Sequence, residues 1–267
     1  MSTSSSQKQP IVTQADIAAG LRRVGIAPGD VVFAHSSLSA FGWVKDGPDV
    51  VIDALLETVG ETGTVALPAF TWRKYHAITE PAVFDPAQEP VKEEVGAIPE
   101  TFRQRPGVQR STHICHSVAA IGPKAQEVMG DGIKSFGKGS TFDQLETFNA
   151  WYLFLGATFR SCTALHHVED LMQVPYRYYR DFKGSVVVLP DGTRQPCPSV
   201  EFLPKSGLRS DFPKMEAVFA AHGVLRTTTA GNAKLMNLRI RDLVRIGVQH
   251  LEHDIEFLLA QKSHQTA

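Results

Sequence analysis

Several features that mark other classes of protein are scarce in this sequence. Its 267 residues include only three cysteines, Cys115, Cys162 and Cys197, and none belongs to a Cys-x-x-Cys pair. We therefore expect neither a disulfide framework nor a structural zinc site, and a reducing cytoplasm fits best. The net charge of −1 lacks the basic excess that is typical of proteins that bind nucleic acids.

Long apolar runs are missing as well. No stretch approaches the ~18 apolar residues of a membrane span, and residues 1–10 are rich in Ser and Gln without the apolar core of a signal peptide. The sequence has no internal repeat, and its glycine-rich segment at 137–140 does not match the P-loop pattern. We expect a disordered leader at 1–10, a single domain over 11–262 and a flexible tail at 263–267, with neither a membrane nor a nucleic acid as partner.

The apolar runs that are present alternate between helical and extended patterns. A capping box that starts at Thr13 predicts a helix ending at Val24, and a β-branched run at 31–34 predicts a buried strand. A second helix at 49–59 and a second strand at 64–68 repeat this order. Such alternation is typical of an α/β protein with a parallel sheet.

Later segments complete the predicted fold. We expect strands at 117–122 and 151–156, a β-hairpin at 183–197, and helices at 211–222 and 235–259, the last of them divided near Gly247. The fold class is therefore α/β, a three-layer αβα arrangement. It has a central, mostly parallel mixed sheet and a smaller C-terminal part made of the hairpin and helices.

A candidate acid–base site follows the strand at 151–156. His166 and Glu169 are three residues apart on a predicted helix, so they share a face and the carboxylate can orient the imidazole. This arrangement suits a general base, although His166 would also be explained if it only capped or packed the helix. The adjacent His167 points about 100° away on a helix, which favours a supporting or packing role.

A polar loop of small residues, 35–42, follows the first predicted strand. Ligands bind at the carboxyl ends of strands in open α/β sheets, so Ser36 and Ser37 are candidate ligand contacts. The alternative is that these serines only cap a helix. Residues 73–94 form an irregular, proline-containing segment, and a loop of that length in a compact domain is usually functional or mobile.

Five segments, in this order, resemble the aminoglycoside 3-N-acetyltransferase family: 35–42, 63–68, 96–103, 110–122 and 155–169. The resemblance covers most of residues 13–260. It implies the antibiotic N-acetyltransferase fold, which is unrelated to the GNAT fold, and transfer of an acetyl group from acetyl-CoA to an amine by direct attack on the thioester. The implied acceptor is an aminoglycoside, a cationic amino sugar, at the 3-amino group of its deoxystreptamine ring. The enzyme is expected to be a cytoplasmic monomer or homodimer without a metal.

The resemblance also implies roles for individual residues. His166 falls on the catalytic histidine of the family and Glu169 on its partner, and a carboxylate-held imidazole suits removal of a proton from an ammonium acceptor. Backbone N–H groups of residues 36–38, or the Thr71 hydroxyl, are expected to stabilise the oxyanion. The expected acetyl-CoA contacts are His35, Ser36, Ser37, Leu38, Ser39, Thr71, Ser111, His113 and Val118. The carboxylates expected to hold the cationic acceptor are Glu80, Asp85, Glu201 and Asp211.

Other functions are compatible with the same residues. Residues 157–162 depart from the family pattern and are expected to border the acceptor, so a biosynthetic N-acyltransferase for a different amine is an alternative. In another class, a metal- or Cys/His-dependent hydrolase would use His113 and His116, or Cys115 or Cys162 as a nucleophile; buried structural roles are the alternative for both cysteines. A non-catalytic binding module on the same fold is a third possibility.

Overall fold

A computed structural model describes residues 11–261 of the chain, so the predicted leader at 1–10 and the predicted tail at 263–267 lie outside the described residues. The strands in this range are β1 (Ile11–Val12), β2 (Val31–Ser36), β3 (Trp43–Val44), β4 (Thr64–Pro68), β5 (Val83–Phe84), β6 (Gln109–Arg110), β7 (Val118–Ile121), β8 (Trp151–Leu155), β9 (Arg177–Asp181), β10 (Val186–Val188), β11 (Arg194–Pro196), β12 (Val200–Pro204), β13 (Arg226–Ala230) and β14 (Ala233–Arg239).

The helices are α1 (Gln14–Arg23), α2 (Pro48–Val59), α3 (Trp72–His76), α4 (Lys92–Val95), α5 (Ala97–Arg103), α6 (Ala125–Val128), α7 (Thr141–Thr147), α8 (Ala164–Leu171), α9 (Met215–Ala221) and α10 (Ile240–His253). Short 3-10 turns cover Leu38–Phe41, Phe159–Ser161 and Phe212–Lys214. Among residues 11–261, no helix is both long and apolar enough to cross a membrane.

Local sequence explains where the first helices begin. The predicted capping box is present at α1: the Asp16 N–H donates to Thr13 Oγ1 at 3.3 Å, and the Thr13 N–H donates to Asp16 Oδ2 at 3.0 Å. Helix α2 starts with Pro48, whose missing N–H costs nothing in a first turn. Both predicted helices are confirmed to within one residue at each end.

The main sheet has seven strands in the order β13-β14-β8-β2-β4-β7-β6. Strands β8, β2 and β4 are parallel to one another, and the strands outside them pair antiparallel. The α/β class with a mixed central sheet is confirmed, and its parallel part consists of these three central strands. Their carboxyl ends therefore meet along one edge of the sheet.

Alternating side chains of the sheet pack into two separate cores. Along β8, Tyr152 and Phe154 face a core that contains residues of α7, α8 and α10, whereas Leu153 and Leu155 face a core that contains residues of α1, α2 and α5. This alternation is the period of two that a strand imposes. Helices therefore cover both faces of the sheet, as in the predicted three-layer arrangement.

The prediction of a helix over 235–259 is wrong in its first part and at its end, since α10 ends at His253. Residues 233–239 form strand β14, which pairs with both β13 and β8, and α10 starts at Ile240. The helix then runs through Gly247 without a break. A Cβ at Gly247 would lie 3.0 Å from Val168 Cγ1 in α8, so this glycine allows two helices to approach closely.

Three small sheets lie beside the main one among the described residues, and the first of them is the parallel pair of β1 and β3. The predicted hairpin at 183–197 is confirmed as the antiparallel pair β10 and β11, and β5 adds to it in parallel. Strands β9 and β12 form a separate antiparallel pair. This pair brings Arg177 and Glu201 towards the edge where the central parallel strands end.

Candidate active site

A cleft of about 1250 Å³ opens at the carboxyl ends of the central parallel strands. Its walls include Ser36 at the end of β2, Pro68 at the end of β4 and Gly156 directly after β8. This is the edge at which open α/β sheets bind ligands. The volume exceeds the roughly 300–1,000 Å³ of a pocket for one drug-sized molecule, so the cleft has room for two substrates.

The predicted acid–base pair lies in this cleft. His166 Nδ1 is 2.6 Å from Glu169 Oε2, and the His166 side chain is 22% exposed whereas that of Glu169 is fully buried. Because an ionised carboxylate can only accept hydrogen bonds, Nδ1 carries the proton and donates it to Glu169. The lone pair of Nε2 is therefore free to accept a proton within the cleft, which His166 lines.

Glu169 has two further partners from the segment that leads into β9. Arg177 Nε lies 2.6 Å from the same carboxylate oxygen, Oε2, and the Tyr176 hydroxyl donates to Oε1 at 3.2 Å. Burial and the nearby Arg177 charge together lower the pKa of His166 to about 4, against the opposing effect of Glu169. The imidazole is therefore neutral at pH 7.

Aromatic contacts fix the plane of the His166 ring. The ring centroid lies 5.2 Å from that of Phe136 and 4.7 Å from that of Phe212. The adjacent His167 is fully buried, accepts the Gly137 N–H on Nδ1 at 3.0 Å, and has Nε2 3.2 Å from Glu146 Oε2. The packing role predicted for His167 is confirmed.

The serine loop, residues 36–39, borders the same cleft. The Ser36 Oγ is buried and has no hydrogen-bond partner within residues 11–261, whereas the Ser37 N–H donates to the Leu155 carbonyl at 2.9 Å. His35 lies at the cleft floor, where its Nε2 is 2.7 Å from the Tyr152 hydroxyl. Burial lowers the pKa of His35 to about 3, so this ring is also neutral.

Four other residues expected to contact acetyl-CoA do not line the cleft. The Thr71 hydroxyl donates to the Ile114 carbonyl at 2.6 Å, so its proton is unavailable for an oxyanion. Ser111 Oγ accepts the Val118 N–H at 2.9 Å, and Val118 is a fully buried strand residue. His113 accepts the N–H groups of Cys115 and His116 on Nδ1. These side chains hold the 111–118 loop together.

Of the four acidic residues expected near the acceptor, Glu201 lines the cleft. It is 1% exposed, with His116 Nδ1 at 3.0 Å and His76 Nε2 at 3.3 Å. Burial alone would raise the pKa of Glu201, but the adjacent His116 holds it below its usual range. The carboxylate is therefore ionised at the wall of the cleft.

The other three carboxylates are placed differently. Glu80 is exposed and Asp85 Oδ1 accepts the Ala87 N–H at 2.9 Å, and neither lines the cleft. Both belong to the 73–94 segment, of which Arg73, His76 and Glu94 are the charged or titratable residues that line the cleft. Asp211 lies between the cleft residues Ser210 and Phe212, with its carboxylate 3.8 Å from Lys214 Nζ.

Two groups of side chains have metal-ligand atoms within 4.8 Å of one another: His76, Cys115 and Glu201, and His113, His116 and Glu201. The second group does not suit a metal. Both His113 nitrogens face backbone groups, since Nε2 lies 3.2 Å from the Val200 carbonyl. Burial raises the pKa of the Cys115 thiol, which keeps it protonated. Burial likewise raises the pKa of Cys162, so neither cysteine is an activated nucleophile.

Several residues around the site had no signal in the sequence. Arg177 and Tyr176 reach Glu169 from the turn and strand after α8. Both residues lie beyond the end of that helix, so neither a helical nor a strand repeat of the sequence predicts these contacts. His116 meets Glu201 across 85 positions of sequence. The cleft segment at 157–161, which departs from the family pattern, was the one local indication of an acceptor wall.

Comparisons with known proteins identify the family of this chain. A model of the aminoglycoside 3-N-acetyltransferase family matches residues 33–252, a range that includes the serine loop, His166 and Glu169. Aminoglycoside N(3)-acetyltransferase VII of Streptomyces paromomycinus is 33% identical over 199 residues, which are 68% of this chain and 68% of that protein.

Solved structures give the same result. AAC-IIIb, in a binary complex with CoASH, has a TM-score of 0.78 and 29% identity over 91% of this chain and 97% of that one. AAC-VIa bound to sisomicin has a TM-score of 0.76 and 26% identity over 91% of this chain and 98% of that one. The similarity therefore extends over almost the whole fold that forms the cleft.

Proposed function

The chain belongs to the aminoglycoside 3-N-acetyltransferase family and is an acetyl-CoA-dependent acyltransferase, and we propose that its acceptor is an aminoglycoside. The acetyl group is transferred to the 3-amino group of the deoxystreptamine ring, with His166 as the general base. The observation that carries this proposal is the His166–Glu169 pair, whose free Nε2 lies in a cleft with room for two substrates. Relatives in complex with CoASH and with sisomicin support the two substrate classes.

The proposed reaction is a direct attack on the thioester. His166 Nε2 takes a proton from the acceptor's ammonium, which frees the nitrogen lone pair to form a bond with the acetyl carbon. The tetrahedral intermediate loses the second proton of its nitrogen to solvent and collapses with cleavage of the C–S bond, and the proton on His166 passes to the leaving thiolate. Glu169 holds the correct tautomer throughout and stabilises the transient imidazolium.

The serine loop supplies groups for the acyl donor. The Ser36 hydroxyl is buried beside the cleft without a partner of its own among the described residues, which suits donation to the developing oxyanion. Within residues 11–261 the Leu38 N–H makes no hydrogen bond either, because it opens a 3-10 turn. The Ser36 hydroxyl and the Leu38 N–H are therefore the proposed oxyanion donors. The Ser37 N–H and the Thr71 hydroxyl, which were also expected, donate to backbone carbonyls instead.

Glu201 is the proposed contact for a cationic group of the acceptor. Its carboxylate is buried in the cleft wall, and its partners are the imidazoles of His76 and His116. An ammonium group that replaces water there would interact strongly, because a desolvated charge pair is weakly screened. Phe136 contacts both His116 and His166, with ring centroids 4.9 and 5.2 Å away, so Glu201 and the base belong to one continuous wall.

The proposal is tested by thiol release from acetyl-CoA with a panel of aminoglycosides and of other amines. Mass spectrometry of the product gives the number of acetyl groups, and NMR gives their position. Acetylation of the 3-amino group of at least one deoxystreptamine aminoglycoside is expected. Turnover with other amines but with no aminoglycoside would contradict the proposed acceptor. It would favour the biosynthetic N-acyltransferase, for which the divergent 157–162 wall is the specific observation.

A further inference from the structure

One buried carboxylate oxygen behind His166 serves two nitrogen groups. Glu169 Oε2 accepts the His166 Nδ1–H at 2.6 Å and also lies 2.6 Å from Arg177 Nε. The Arg177 contact is an ion pair and not an aligned hydrogen bond, because Nε–H has no acceptor in good geometry within residues 11–261. The charge of Arg177 therefore acts on the same oxygen that orients the proposed base.

The rest of the Arg177 guanidinium contacts two other residues that line the cleft. Nη2 donates to Ser210 Oγ at 3.1 Å, and Nη1 reaches the Phe202 carbonyl at 3.5 Å. Its carbon also lies 5.5 Å from the centroid of the Phe202 ring. The side chain is only 4% exposed, so its position is fixed by these contacts and by Glu169.

We propose that Arg177 is a positioning residue, which holds Glu169 against His166 and opposes a positive charge on the imidazole. This inference rests on the proposed role of His166 as the base. A fully buried carboxylate stays ionised only when a positive group compensates it. Arg177 supplies this charge permanently, so that the carboxylate does not depend on a protonated His166 for its compensation.

The charged and titratable groups around His166 are few. Glu169 lies on its own helix, Tyr176 and Arg177 approach through Glu169, and His116 faces it from the 111–117 loop across Phe136. Arg177 and His116 both oppose a positive charge on His166, and Glu169 favours one. Removal of the Arg177 charge leaves a buried imidazole beside an uncompensated carboxylate. The affinity of His166 for a proton would then rise.

The test is a titration of the His166 ring by NMR in protein labelled with 15N-histidine, with the signal assigned from a His166→Gln variant. In Arg177→Met we expect His166 to titrate at a higher pH than in the wild type, by about one pH unit. Arg177→Lys, which keeps the charge, should restore most of the wild-type midpoint. This readout does not require turnover, so it can succeed or fail independently of the proposed acceptor.

Kinetics provide a second readout and a matched control. The acid limb of kcat/KM should move to higher pH in Arg177→Met, while the KM for acetyl-CoA stays within about twofold. Arg239→Met is the control, since this arginine also contacts one carboxylate, Asp30, and one carbonyl, that of Asn149, at the other end of the strands. An unchanged His166 midpoint in Arg177→Met, or an equal shift in Arg239→Met, would overturn the inference. If Arg177→Met does not fold, Arg177→Gln removes the same charge.

Discussion

At the scale of single residues, the site is distinguished by polar atoms that the fold leaves without a partner. Ser36 Oγ is buried and unpaired within the described part of the chain, whereas Ser111 Oγ and Thr71 Oγ1 nearby are fully used by backbone groups. A buried hydroxyl without a partner lowers stability. Its retention next to a cleft is explained when a ligand or a transition state supplies the missing hydrogen bond.

Ser36→Ala should therefore separate activity from stability. We expect kcat to fall about tenfold or more if the hydroxyl stabilises the oxyanion. The free energy of unfolding should stay within about 0.5 kcal/mol of the wild type or increase, because no internal hydrogen bond is lost. Urea unfolding and steady-state kinetics on the same sample measure both quantities.

Ser140→Ala provides the comparison for this variant. Ser140 caps α7, where its Oγ accepts the Asp143 N–H and donates to the Gly137 carbonyl, so its loss should cost about 1 kcal/mol. Loss of stability without loss of rate in Ser36→Ala would show that this hydroxyl has a structural role, as that of Ser140 does.

At the scale of elements, the approach of β8 and the serine loop depends on one glycine. Gly156 has φ of 68°, and a Cβ there would lie 2.5 Å from Ala40 Cβ and 3.2 Å from the Ser37 carbonyl. Glycine adopts this backbone conformation without strain, and a larger residue would push the serine loop away from β8. The position of the proposed acetyl-CoA contacts is therefore set by the absence of a side chain at residue 156.

Gly156→Ala is expected to raise the KM for acetyl-CoA at least severalfold and to lower the unfolding free energy by more than the roughly 1–3 kcal/mol of left-handed strain alone. Gly223→Ala is the matched control, because Gly223 has nearly the same backbone conformation as Gly156, with φ of 69°. Nothing lies within 4 Å of a Cβ added there. This variant should lose unfolding free energy through backbone strain without any change in the KM for acetyl-CoA. Equal effects of the two substitutions on both quantities would mean that the contact with the serine loop is unimportant.

The elements also show what local sequence can and cannot predict. Helices α1 and α2 and strands β2, β4 and β8 were predicted because caps, β-branched runs and turns mark them locally. Strand β14 was missed, because Ala233–Arg239 mixes polar residues with good helix formers and is held extended by pairing on both sides.

The same distinction holds within the site. His166 and Glu169 are one helical turn apart, so their pairing follows from spacing. The pairs Glu169–Arg177 and His116–Glu201 join separate elements, and only the assembled fold brings them together. Glu80 and Asp85 were expected at the cleft because of their charge, and a charge alone does not determine which way a side chain points.

At the scale of the whole molecule, the cleft lies above an aromatic core. Phe33, Phe136, Tyr152, Phe154 and Phe159 belong to one buried cluster beneath the cleft. An apolar floor of this kind excludes water and strengthens the electrostatic interactions of groups placed above it. It also explains why burial is the largest influence on the pKa of His35, His113 and His166.

These buried histidines predict that the protein loses stability in mild acid. Burial lowers the pKa of His35 to about 3 and that of His113 to about 4, whereas a histidine in the unfolded chain titrates near 6.5. Below that pH the unfolded state binds more protons than the folded state, so its free energy falls relative to the native protein. The stabilisation by neutral His35 and His113 is complete above pH 6.5 and decreases as the pH falls towards their folded values.

Between pH 7 and pH 5, each of the two should cost the fold about 2 kcal/mol. Urea unfolding at both pH values measures these two contributions together with that of His166, whose pKa is also about 4, so a His35→Gln variant should lose about a third of the dependence. A free energy of unfolding that is the same at pH 5 and pH 7 would show that these rings are protonated in the native state or accessible to water.

The general-base role of His166 is tested most directly by the rate of acetyl transfer in His166→Gln, measured as thiol release with the best acceptor of the panel. His222→Gln is the control, since this histidine is exposed at the end of α9 and does not line the cleft. We predict a fall in kcat of about 10²-fold or more for His166→Gln, with calorimetric binding of acetyl-CoA retained and with wild-type kinetics for His222→Gln. A near-normal rate in His166→Gln would contradict the proposed mechanism.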